Sequence, residues 1–104
     1  MAIVLEELGL PYNTTYVDFA NIKKEPYIKI NPNGRVPSIQ DPNTGITLWE
    51  SGAIIQYLIE QYDKDGKISY SSTPEKYLTQ QWLFFQASGM CTAKADNPTL
   101  LTPP

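Results

Sequence analysis

Residues 31–62 limit what this chain can fold into more than any other stretch. They read N-P-N-G-R-V-P-S-I-Q, then D-P-N-T-G, then I-T-L-W, then E-S-G-A-I-I-Q-Y-L-I-E-Q-Y. Asn31-Pro32-Asn33-Gly34 is dense turn punctuation, because Asn and Gly tolerate left-handed backbone and Pro fixes φ. Residues 36–40 follow as a strand. Pro37 cannot donate to a sheet ladder, so it belongs at the strand start or on an edge. Residues 41–45 make a hairpin loop and residues 46–49 the partner strand, so the two strands are antiparallel neighbours. Residues 51–62 are the clearest helix. Ile54, Leu58 and Gln61 form one row on it, and Ile55, Ile59 and Tyr62 another. A helix apolar over so much of its girth must be covered by more than one neighbour. The second strand delivers Glu50 and Ser51 to the start of this helix. Free backbone N–H groups and a partial positive charge make that point a seat for a carboxylate or phosphate.

The flanks are less regular. Residues 2–8 predict a helix with Ile3, Val4, Leu5 and Leu8 on one face, Gly9 as its C-cap and Pro11 as its stop. The apolar pattern starts directly behind Met1 with no N-cap residue, which reads as a helix that has been cut into. Residues 14–18, within Y-N-T-T-Y-V-D-F, are β-branched and aromatic and predict a strand. Residues 20–30 are weakly patterned, with an irregular helical turn or two around 26–30. Residues 63–71 read as a linker. Ser72-Thr73-Pro74-Glu75 opens a second helix over about 74–88. Here a Thr73 cap with Pro74 at the first helical position competes with a Ser72–Glu75 capping box. Leu78, Trp82 and Phe85 form a stripe on this helix, and Tyr77 and Phe84 mark a second face. The pattern predicts a helix that needs a partner. Trp49, Tyr57, Trp82 and Phe85 are read as packing residues. After Gly89 the period is lost, and residues 90–104 predict an irregular or disordered tail. The element order gives an α/β fold with a mixed sheet and no internal repeat.

Composition removes several function classes. The 104 residues carry a formal net charge of −3, with no basic run and no RNA-binding aromatic motif. Nucleic acid and anionic membrane are therefore excluded as main partners. No apolar run reaches the roughly 20 residues of a membrane span. No basic segment precedes the first apolar residues, so no secretory signal is expected. Histidine is absent, which removes the usual general base and the commonest metal ligand. The single cysteine, Cys91, cannot form an internal disulfide or a dithiol centre. These features fit a cytoplasmic protein without a metal. Asn13-Thr14-Thr15 matches a glycosylation pattern by chance.

N-P-N-G-R-V-P-S-I, W-E-S-G-A-I-I-Q-Y-L and W-L-F-F-Q-A-S-G together resemble a cytosolic glutathione transferase. The likeness spans about residues 2–89 and is strongest to the fungal subgroup that includes the yeast nitrogen-catabolite regulator. The family has an N-terminal thioredoxin-like domain that holds glutathione, then an all-helical domain, and it usually dimerises. On this pattern residues 1–66 are the glutathione-binding domain and residues 67–89 the start of the helical one. The resemblance implies that Val36 offers its backbone N–H and C=O to the cysteinyl part of glutathione, like an added strand residue. Pro37 would be cis. Ser51 would bind the γ-glutamyl carboxylate and Glu50 the γ-glutamyl ammonium. Arg35, Lys23 and Lys24 are candidates for the glycyl carboxylate. Taken singly, Ser51 also fits an N-cap, Glu50 a surface charge beside a helix dipole, and residues 36–39 plain core.

The sequence departs from the family pattern at both ends. The family begins with a strand and a loop ahead of the helix at residues 2–8. That loop carries the side chain that faces the glutathione sulfur. No catalytic residue is therefore assigned, and the sheet is expected to lack its first strand. The expectation is a truncated glutathione transferase with little or no activity, with glutathione as co-substrate, a hydrophobic electrophile as second substrate if it is active, and a homodimeric form. The alternative is a non-catalytic glutathione-binding or regulatory module. A thioredoxin-like oxidoreductase is disfavoured by the lack of a dithiol.

Overall fold

The computed structural model describes residues 1–90. Residues 91–104, with Cys91 and most of the expected tail, lie outside the described part. Element order is α1 (Ala2–Glu7), α2 (Tyr27–Ile30), β1 (Ser38–Asp41), β2 (Ile46–Trp49), α3 (Ser51–Tyr62) and α4 (Glu75–Phe85), followed by a π-helical turn at Gln86–Met90. The chain divides into two compact units, one of Met1–Ile68 and one beginning at Ser69.

In the first unit, α1 ends as its sequence dictates. Gly9 takes φ +65°, its N–H reaches the Glu6 carbonyl at 3.0 Å, and the Leu10 N–H reaches the Leu5 carbonyl at 3.1 Å. This is a Schellman closure, which satisfies helix-end carbonyls and brings Leu10 back over Leu5. Both leucines join the core. That core centres on Leu5, Ile54 and Leu58, with Val4, Leu8, Ile39, Leu48, Tyr57 and Tyr62 packed around them. Ile54 has 0 % exposure, and it lies with Leu58 on one of the two rows read from the sequence. Ile39 and Leu48 are directly opposed across the hairpin and supply the sheet's apolar face to α3. The helix is thus covered by α1 on one side and the hairpin on another, as its wide apolar girth requires.

The hairpin pairs Ser38 with Trp49 and Asp41 with Ile46. Gly45 at φ +73° closes the loop, and its N–H bonds the Asp41 carbonyl at 2.8 Å. Pro37 stands just ahead of β1, the place a residue without an N–H can occupy.

Two expectations fail here. Residues 14–18 form no strand, and the only sheet among the described residues is the two-stranded antiparallel β1–β2, not a mixed one. A strand exists through its neighbours, and this segment has no ladder to join. Tyr16 is accordingly 92 % exposed, and Phe19 is also exposed.

Further expectations fail in the second unit. Trp82 and Phe85 are not buried packing residues. They lie more than half exposed and meet edge-on, with ring centroids 5.6 Å apart. Both cap registers also give way. Pro74 precedes the helix instead of opening it, and the Ser72 hydroxyl bonds the Glu75 carboxylate at 3.0 Å, with no side-chain cap to the backbone.

Candidate glutathione site

The site forms at the end of the hairpin away from its loop. Chain order brings α2 first, then the turn at residues 31–34, then Arg35 and Val36. Tyr27 and Asn31 are both buried, Asn31 to 1 % exposure. The Asn31 side-chain amide donates to the Arg35 carbonyl at 2.6 Å, and its oxygen accepts the Asn33 N–H at 2.9 Å. The second bond is an Asx turn, which fixes the start of the loop. The Tyr27 hydroxyl donates to the same Arg35 carbonyl.

Gly34 completes the turn at φ +62°. A Cβ there would stand 2.6 Å from Lys23 Cδ and 2.7 Å from the Ile22 carbonyl oxygen. Gly34 is therefore required twice, by its dihedral and by close approach. The Lys23 stem lies over this glycine, and its ammonium donates to the Asn33 carbonyl at 2.7 Å. The structure thus carries Lys23 to the turn that feeds Val36. Nothing comparable ties Lys24 there.

The Val36–Pro37 bond is cis, as the resemblance implied. Val36 is exposed, and no described group bonds its backbone N–H or C=O. Val36 and Pro37 precede Ser38, and Glu50 and Ser51 follow its register partner Trp49, so all four stand at the end of the hairpin away from its loop. Glu50 is the one described non-glycine residue with positive φ, at +76°. It occupies the N-cap position of α3 without a side-chain cap bond, and Ser51 is the first helical residue. Ser51 is therefore not the capping residue that its type suggested. Its hydroxyl has no partner among the described residues. Backbone held in the left-handed region costs a non-glycine residue about 1–3 kcal/mol and collects at ligand sites.

Together these groups make one set at this end of the hairpin: a carboxylate and a hydroxyl at the start of α3, an unpaired backbone at Val36 ahead of β1, and Lys23 and Arg35 on the turn before it. A ligand matched to it has an ammonium and a carboxylate at one end, a peptide in the middle and an anion at the other end. Among the described residues no His, Cys, Asp and Glu group is placed to hold a metal. No helix there is long and apolar enough to cross a membrane.

Residues 1–61 match the sequence profile of the glutathione S-transferase N-terminal domain. The chain belongs to the glutathione S-transferase family. The glutathione S-transferase-like protein OpS6 of Beauveria bassiana is 62 % identical over 88 residues, which are 85 % of this chain and 40 % of that protein. Protein URE2 of Debaryomyces hansenii is 45 % identical over 95 residues, 86 % of this chain and 31 % of that one. The crystal structure of glutathione transferase URE2P6 from Phanerochaete chrysosporium, in complex with oxidized glutathione, superposes with a TM-score of 0.81 at 47 % identity. It covers 98 % of this chain and 49 % of that one. The chain thus has the thioredoxin-like N-terminal fold of fungal, URE2-like transferases. It spans about 40 % of the length of OpS6 and of other curated relatives it matches.

Sequence reasoning singled out Val36, Pro37, Glu50 and Ser51, and the hairpin and helix place them at one end of one hairpin. It missed Tyr27 and Asn31. Asn31 carried a signal in the N-P-N-G run, where it was legible only as a turn residue. Tyr27 sits in a four-residue helix too short to show a period.

Proposed function

We propose that residues 1–66 form a glutathione-binding unit of a glutathione transferase, and that residues 67–89 begin its helical domain. Glu50 takes the γ-glutamyl ammonium. Ser51, through its hydroxyl and the α3 N-terminus, takes the γ-glutamyl carboxylate. Val36 pairs its backbone with the cysteinyl part of the tripeptide, beside Pro37. Lys23 and Arg35 face the glycyl carboxylate. The observation that carries this reading is the unpaired Val36 backbone at the same end of the hairpin as an uncapped, strained Glu50–Ser51 helix start. Polar groups left without protein partners at one point of a fold are groups available to a ligand.

In the whole protein the reaction is conjugation. The glutathione thiolate attacks a hydrophobic electrophile, a carbon–sulfur bond forms, and the electrophile's leaving group departs or its double bond takes up the electron pair. A free thiol, with pKa about 8.5, is mostly protonated at neutral pH and must be activated. The family resemblance assigns that task to a loop ahead of α1, outside these 104 residues. Their contribution is to hold the tripeptide. The protein is proposed to act in the cytoplasm as a homodimer. The second reading is a non-catalytic glutathione-binding or regulatory module, which would use the same handle-binding groups without turnover.

Calorimetric titration with glutathione tests the shared claim. Binding that weakens about ten-fold in Ser51→Ala supports it, and no heat with no shift in melting temperature overturns it. A conjugation assay with an aryl halide then separates the two readings: turnover favours the transferase, and binding without turnover the module.

A further inference from the structure

The Arg35 carbonyl is held from two sides. The Asn31 amide donates to it at 2.6 Å, and the Tyr27 hydroxyl donates as well. A carbonyl oxygen has two lone pairs, so this acceptor is saturated. Because Tyr27 gives its proton to a carbonyl, it accepts at its own oxygen from the Ser38 hydroxyl, 2.8 Å away. Two side chains, from α2 and the turn, thus converge on one backbone atom, and Ser38 of β1 holds one of them from behind. Both donors sit on buried residues, where an unmade hydrogen bond is costly.

The consequence follows from peptide geometry. A trans peptide is planar, and its C=O and N–H point in opposite directions. The Arg35–Val36 bond is not among the cis bonds. Pinning the Arg35 oxygen inward therefore aims the N–H of the same plane, that of Val36, outward. That N–H has no described acceptor, and Val36 is 54 % exposed.

We infer that Tyr27 and Asn31 are positioning residues that lock the Arg35–Val36 peptide plane and so pre-aim the Val36 N–H at the cysteinyl carbonyl of glutathione. The inference rests on the glutathione reading for its ligand, but not for the locked plane itself. A donor already aimed costs less to order on binding than one that must be oriented then.

The test uses the full chain and two ligands: glutathione, and an analogue whose cysteinyl carbonyl is reduced to methylene and so offers the Val36 N–H no acceptor. Tyr27→Phe keeps the buried ring and removes one of the two donors. Glutathione affinity should fall about five-fold, while affinity for the analogue stays within about two-fold of the unsubstituted chain's. The amide order parameter of Val36 should drop from the rigid value of about 0.85 toward about 0.6, with that of Ile54 unchanged. Asn31→Ala should act in the same direction and more strongly, but its deep burial also threatens folding, so Tyr27→Phe decides the question. Equal weakening toward both ligands, or an unchanged Val36 order parameter, overturns the inference. If the unsubstituted chain binds no glutathione, the glutathione reading fails by itself, and the order parameter still decides whether the plane is locked.

Discussion

At the loop end of the hairpin, the side chain of Asp41 is fully engaged. One carboxylate oxygen accepts the Asn43 N–H at 2.9 Å. The other accepts the hydroxyls of Tyr57, at 2.6 Å, and of Tyr62. Tyr57 also meets the Thr44 hydroxyl at 2.6 Å. The two phenol rings stand edge-on, with centroids 6.5 Å apart. At the opposite end, Val36 has a free backbone edge, the Ser51 hydroxyl has no described partner, and Glu50 is held at positive φ. One hairpin thus has a closed end, where polar groups hold it to α3, and an open end, where they are left over. The contrast separates stability from binding along a single element. Substitutions at the closed end should change folding and leave affinity alone. Substitutions at the open end should do the reverse, except where they touch the turn that shapes it.

That exception gives the largest expected effect. Gly34→Ala must fit a Cβ 2.7 Å from the Ile22 carbonyl oxygen in a left-handed conformation. It should cost at least about 2 kcal/mol in urea unfolding and weaken glutathione binding with it. Loss of only one of the two would show that turn and site are not mechanically joined.

Ser51→Ala tests the open end itself. Its hydroxyl caps nothing in the fold, so glutathione affinity should drop about ten-fold while stability changes by less than about 0.5 kcal/mol. A large fall in melting temperature would show that Ser51 is structural. Glu50→Gly should weaken glutathione binding about ten-fold yet raise stability by up to about 1 kcal/mol, because glycine adopts positive φ freely. A destabilised Glu50→Gly chain would mean that the strain is absent.

The smallest effect belongs to the closed end. The hydrogen bond from Tyr57, and then that from Tyr62, hold the Asp41 carboxyl below its ordinary pKa. A carboxylate lowered on folding stabilises fully above its unfolded pKa of about 4 and loses that contribution as pH falls through the folded value. Unfolding followed from pH 7 to pH 2 should therefore show Asp41→Asn weaker at neutrality, with the gap to the unsubstituted chain narrowing below about pH 4. Glutathione affinity at pH 7 should be the same in both. Parallel pH curves would remove the ionised Asp41 from the account. Tyr57 is shifted the other way: burial, then the bond to Asp41, raise its phenol.

Much of this contrast was legible in the residues. The span of α3 is clear from Ile54 and Leu58, whose inward row carries the core, and from a hairpin loop rich in Asn, Gly and Pro. Antiparallel pairing follows from that loop, and with it the placing of Val36, Glu50 and Ser51 at one end of the hairpin. What escaped was whatever depends on a partner. Residues 14–18 have strand chemistry, but a strand needs a neighbour, and no local pattern says whether one is there. Trp82 and Phe85 look like core because they are large and periodic. Periodicity marks a face and does not reveal what covers it. Tyr27 and Asn31 escaped for a different reason. Their role is a shared acceptor eight and four residues away, and neither spacing forms a repeat.

The placement of α3 has a consequence for how the domain can vary. Its first residue serves the open end, while Tyr57 and Tyr62 serve the closed one. The helix is therefore a gauge block set between two fixed points. Adding one residue between Ser51 and Tyr57 would turn the two ends by about 100° and part them by about 1.5 Å. Ile54 would leave the core or the phenols would leave Asp41. Side chains along this helix are open to exchange, but its residue count is not.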